Sequence, residues 1–124
     1  MIAWLNLVVG GIAGTLARYV LAGAVYQVLG AAFPYGTLVV NVTGCFAIGF
    51  FSGLAEERFL LGPHARLLLM TGFCGAFTTF STLILETANL LKSGETLRAW
   101  INIAASLGAG LMVFWLGIVV AERL

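Results

Sequence analysis

The sequence is poor in charge. Six Lys and Arg and five Asp and Glu make up 9% of its 124 residues. A soluble domain carries roughly 25% charged residues, so this chain has too few to cover a surface that faces water. The formal net charge is +1 and no basic run occurs, which excludes a nucleic-acid partner gripped by its phosphates. Histidine is reduced to His64, and cysteine to Cys45 and Cys74, each deep in a different apolar stretch. That distribution makes no metal-ligand pattern, and the two thiols read as small apolar core groups. No nucleophile has a neighbouring base, so the chain reads as a non-enzyme.

What the sequence has is apolar length. Hydrophobic residues make up 61% of it, gathered in four stretches at about 2–29, 35–55, 67–91 and 99–121. Each reaches the roughly 20 residues that cross a hydrocarbon core as a helix. Lipid offers no partner for unpaired backbone groups, so helices are required, and the short alternating segments of a barrel are missing. The expectation is an all-α membrane protein, one domain over 1–124 with four transmembrane helices. The first stretch is expected to be kept rather than cleaved, because it lacks a basic leader, is long, and carries Arg18.

The connectors are short: GAAFP, EERFLLGPHAR and KSGETLR. Arg58, Arg66 and Arg123 fall on one side of such a bundle, and Lys92 and Arg98 on the other, towards which Arg18 leans. Lys and Arg asymmetry normally sets orientation, and here it is close to balanced. Insertion in one weakly biased direction and insertion in both directions are both open on this count. Gly10 with Gly14, and Gly49 with Gly53, are spaced to let helix backbones approach, either between copies or within one bundle.

Polar groups inside a membrane are costly, so each is a functional candidate. Arg18, Asn41, Thr43, Glu86, Asn102 and Ser106 qualify, together with the segment GFCGAFTTFSTL at 72–83. Asn102, Ser106 and Gly110 share one helical face, as a polar track or a close-packing seam. Within 72–83, Gly72 and Gly75 lower helix propensity, while Thr78, Thr79, Ser81 and Thr82 bring hydroxyls that bond to freed backbone. A break in the third helix is expected there, tolerated only where protein or a cavity encloses it. Carbonyls released by a break coordinate a hard cation such as Na⁺. Phenyl edges are positive, so Phe73, Phe77 and Phe80 offer anions an attractive surface.

These motifs carry a resemblance. GGIAGTLARY (10–19), PYGTLVVNVTG (34–44) and GFCGAFTTFSTL (72–83), followed by Glu86, resemble the Fluc fluoride channels, the CrcB-type family, across nearly the whole chain. The resemblance implies an antiparallel, dual-topology homodimer in the bacterial inner or plasma membrane, which passively exports fluoride from the cytoplasm. It implies a structural, untransported Na⁺ at the dimer interface, held by the backbone carbonyls of Gly75 and Thr78 from both copies. It also implies a fluoride pathway along Asn41, Phe80, Ser81, Thr82, Ser106 and Arg18. Leu83 departs from the family's second phenylalanine on that pathway, and Gly110 stands where some members have serine. The competing expectation is a small proton-coupled exporter with four helices and dual topology. Such a transporter needs a central carboxylate, and the one candidate, Glu86, lies near a helix end.

Overall fold

The computed structural model describes all 124 residues, Met1–Leu124, and is entirely helical. Helix α1 spans Ile2–Leu29, and α2 spans Tyr35–Ser52 before widening into π-helical turns over Gly53–Glu57. The third span is a composite. It runs through α3 (Pro63–Arg66), π-helical turns over Leu67–Cys74, α4 (Gly75–Phe77) and α5 (Phe80–Lys92). Helix α6 spans Thr96–Glu122. Four helical segments, Ile2–Leu29, Tyr35–Glu57, Pro63–Lys92 and Thr96–Glu122, are long and apolar enough to cross a membrane.

The third span starts earlier than the apolar run at Leu67. Pro63 sits at its first helical position, where the missing N–H costs nothing and the fixed φ suits a helix. Arg66 then ties the second connector down, through Nη1 to Glu56 at 2.9 Å and through Nη2 to the Ala55 carbonyl at 3.0 Å. At the other end, Arg98 pairs with Glu95 at 3.3 Å and donates to the Ala32 carbonyl at 3.2 Å. The first and third connectors therefore meet at one end of the bundle. Gly30 and Gly94, with φ of 80° and 78°, close α1 and α5 in a conformation that favours glycine.

Glycines set the packing inside the chain. A Cβ at Gly10 would fall on the Leu68 carbonyl, and one at Gly14 on the Phe73 carbonyl, so α1 lies directly on the third span. A Cβ at Gly49 would fall on the Phe114 carbonyl, and one at Gly117 on the Phe46 carbonyl, so α2 lies on α6. Gly53 faces the Ala121 methyl, where a Cβ would come within 2.7 Å. Both spaced glycine pairs thus serve contacts within one chain. Gly11 and Gly108 meet nothing within 4 Å.

Little is buried. Of 124 residues, 22 are buried, and the outward faces of α1 and α6 show Trp4, Leu16, Val20, Leu107, Leu111 and Trp115. An apolar surface this continuous suits lipid or another protein rather than water.

Candidate ion pathway

Two residues interrupt the third span. Helix α4 ends at Phe77, Thr78 and Thr79 are extended (φ −85°, ψ 158° and φ −150°, ψ 112°), and α5 begins at Phe80. An extended step inside an apolar helix strands backbone groups, and those groups must find partners. Asn41, reaching from α2, supplies two. Its Nδ2 donates to the Thr79 carbonyl at 3.0 Å, and its Oδ1 accepts from the Thr79 N–H at 2.8 Å. The side-chain amide pairs with one residue as a neighbouring strand would.

The rest of the step is also tied by side chains. Thr79 caps α5, its hydroxyl oxygen accepting from the Thr82 N–H at 3.3 Å while the hydroxyl donates to Thr82 Oγ1 at 3.0 Å. Thr78 donates its hydroxyl back to the Cys74 carbonyl at 2.9 Å. Arg18 reaches across from α1 and donates from Nε to the Ala76 carbonyl at 3.1 Å. No side chain donates to the carbonyls of Gly75 or Thr78.

Two cavities adjoin the step. One, about 390 Å³, is lined by Asn41, Gly75, Thr78, Phe80, Leu83 and Ser106 among others. The second, about 730 Å³, is lined by Arg18, Thr82 and Glu86. Thr79 faces both. Ser81 is exposed and lines neither, its hydroxyl lying 3.5 Å from that of Thr79. Phe80 is 70% exposed whereas Leu83 is 5% exposed, although both line the first cavity.

The intramembrane charges do not pair with each other. Arg18 bonds to backbone, while Glu86 accepts from the Tyr26 hydroxyl at 3.1 Å and from the Thr37 hydroxyl. Sequence reasoning passed over Tyr26 and Thr37. A carboxylate within a membrane span demands donors, but hydroxyls, amides and indoles can all serve, so Glu86 alone does not single these two out. Asn102, Ser106 and Gly110 are all buried, with Gly110 against the Cys45 sulfur, so this stripe packs inside the chain, and Ser106 lines the first cavity. Asn102 donates to Thr87 at 3.0 Å, and Thr87 donates to the Leu83 carbonyl at 2.7 Å. Asn102 Oδ1 and Ser106 Oγ have no partner within the chain.

Comparison with known proteins places the chain in a family. Residues 5–118 match the family described as CrcB-like protein, Camphor Resistance (CrcB). A protein of Methylocella silvestris named fluoride-specific ion channel FluC is 48% identical over 120 residues, covering 95% of this chain and 92% of that protein. Its namesake in Chlorobaculum tepidum is 50% identical over 113 residues, 91% of this chain and 89% of the relative. The namesake in Opitutus terrae is 46% identical over 126 residues, covering 100% of this chain and 96% of its own length. With four spans of membrane-crossing length and relatives of this kind, the chain is a multi-pass bacterial membrane protein and belongs to the CrcB-like family.

Proposed function

We propose that this chain is one half of a passive, fluoride-selective channel that lets fluoride leave the cytoplasm. The observation that carries the reading is the two-point hold of Asn41 on Thr79. It fixes an extended step in the third span and puts Phe80, Ser106 and the amide of Asn41 on one cavity wall. Fluoride is small and tightly hydrated, so a selective route must replace water with hydrogen-bond donors and positive edges. Amide and hydroxyl donors with a phenyl edge do so without a fixed charge in the narrow part, and binding stays weak enough for release.

The second half is another copy of the chain in the opposite orientation. Phe80, 70% exposed on the wall of the first cavity, leaves a face that a second copy would close, and the near balance of Lys and Arg across the connectors permits both orientations. The residues present suit a sodium ion between the copies. Gly75 and Thr78 line one cavity, no side chain claims their carbonyls, and carbonyl oxygens are the donors a hard cation takes. The same pair from the second copy completes the shell. When bound, the ion supplies a permanent positive charge and links the two halves.

The test is ion efflux from liposomes holding the purified protein. Rapid fluoride efflux with no proton gradient, and none of chloride, is the expected result. Efflux that stops without a proton gradient would instead favour a coupled exporter. A C-terminal reporter should label from both sides of the membrane, and labelling from one side alone would remove the antiparallel arrangement.

A further inference from the structure

A third cavity, about 360 Å³, lies at the end of the bundle where the first and third connectors meet, beside Ala32, Pro34, Asn89, Ser93 and Glu95. It adjoins the 730 Å³ cavity that holds Arg18. Only two residues line both, Tyr26 and Glu86. They are also bonded to each other, the Tyr26 hydroxyl donating to Glu86 Oε2 at 3.1 Å. A hydrogen-bonded pair therefore stands where the two cavities meet.

The pair is built from three spans. Tyr26 comes from α1, Glu86 from α5, and Thr37 of α2 donates to the other carboxylate oxygen, Oε1. Gly36 leaves room for the Tyr26 ring, onto which a Cβ there would fall. A carboxylate facing an anion route repels the anion and draws off the field of a nearby guanidinium. Two hydroxyl donors hold both oxygens against α1 and α2 and spread the charge. With the Tyr26 hydroxyl gone, Oε2 is released into the cavity that Arg18 lines.

We propose that Tyr26 is a positioning residue for transport: it holds Glu86 where the two cavities meet, and keeps the carboxylate out of the way of an anion that enters from the connector end. The inference rests on the fluoride-channel reading and extends it to the entrance.

The experiment compares fluoride efflux from liposomes for the unmodified protein and for Tyr26→Phe, Thr37→Val and Glu86→Gln, singly and with Glu86→Gln as background. Tyr26→Phe keeps the ring and removes one charge-assisted hydrogen bond, so efflux should fall about tenfold. In the Glu86→Gln background the same change should cost nothing further, because no carboxylate remains to be held. A lesion that merely loosened the fold would lower efflux in both backgrounds. Thr37→Val, which leaves the ring untouched, should follow the same pattern and serves if Tyr26→Phe fails to assemble. Efflux unchanged in Tyr26→Phe, or lowered equally in both backgrounds, overturns the inference while leaving the channel reading in place. Absence of fluoride efflux from the unmodified protein overturns both.

Discussion

The seam between α2 and α6 and the junction between α4 and α5 solve the same problem by different means. Along the seam, glycines bring backbone against backbone: Gly49 at Phe114, Gly117 at Phe46, Gly53 at Ala121. At the junction, glycine contact is supplemented by directed side-chain hydrogen bonds, from Asn41, Thr78, Thr79, Thr82 or Arg18. Lipid tails are as apolar as leucine, so helices in a membrane gain little from hiding apolar groups and much from close van der Waals contact. The seam takes that gain and leaves no room for an ion. The junction takes it only in part, at Gly14 and Gly44, keeps cavities beside Thr79, and adds bonds of defined direction where the packing opens. The difference separates close-packed scaffold from the part of the chain that borders cavities.

The largest effect should come from breaking the seam. In Gly49→Val the new side chain meets the Phe114 carbonyl, a backbone atom that cannot turn aside. Overpacking of this kind costs about 3 kcal/mol, a large share of a marginal stability. The expected outcome is loss of the monodisperse gel-filtration peak, or a large drop in melting temperature in detergent. Normal melting would show that α2 and α6 separate more easily than the glycines imply.

Breaking the junction should lower transport more than stability. Asn41→Leu strips Thr79 of both partners, at about 1–3 kcal/mol for each backbone group left unpaired, less to the extent that water reaches the half-buried site. Protein should still be recovered, with fluoride efflux reduced at least about tenfold if the extended step sets the pathway. Asn41→Asp keeps the acceptor for the Thr79 N–H but has no N–H to give its carbonyl, so it should fall between the two. Equal efflux from Asn41→Leu and the unmodified chain would make the hold a structural detail.

Much of this contrast was legible in the sequence, and what was hidden has physical reasons. Four apolar lengths predict four spans, because hydrocarbon thickness sets helix length whatever the fold. The spaced glycines could be read only as close approach, since their partners, backbone carbonyls of distant residues, carry no sequence signature. Asn41 stood out because a buried amide must bond beyond its own helix, yet nothing in the sequence names Thr79 as its partner. The same limit hid Tyr26 and Thr37, which lie 60 and 49 residues from Glu86 along the chain. Leu83 and Phe80, three residues apart in one motif, look alike in sequence. Their exposures of 5% and 70% depend on what the other spans place over each, which the motif does not carry.

That exposure makes Phe80 the test of whether the junction's outer wall conducts. Phe80→Ile removes the positive ring edge but leaves an apolar side chain on a surface the chain does not bury. Melting of the variant should be close to normal. Efflux should fall by about an order of magnitude, which corresponds to about 1.4 kcal/mol at the barrier. Leu83→Phe, beside a cavity of about 390 Å³, should keep or raise efflux. Unchanged efflux in Phe80→Ile would take the ring out of the pathway.

The smallest effect, and the sharpest use of the comparison, lies at Thr78 and Gly75. The Thr78 methyl nests on Gly44, and its hydroxyl donates to the Cys74 carbonyl at 2.9 Å. Thr78→Ser keeps that hydroxyl and the backbone carbonyl and loses one methyl, a cost of about 1 kcal/mol. If the carbonyl rather than the side chain serves the sodium ion, efflux should stay within about twofold of normal. Gly75 differs from the seam glycines, because the nearest atom to a Cβ there is the Met70 carbonyl oxygen at 4.0 Å, with open space beyond. Gly75→Val therefore has no clash within its own chain, and the fold should tolerate it. Loss of efflux in a well-folded Gly75→Val would place the crowding on a second copy or on an ion between copies. Prolonged replacement of Na⁺ by a large organic cation should lower efflux of the unmodified protein, while a reversed Na⁺ gradient should drive no uphill fluoride movement. Uphill movement would make sodium a transported partner, and full activity after exhaustive sodium removal would leave the carbonyls of Gly75 and Thr78 without that role.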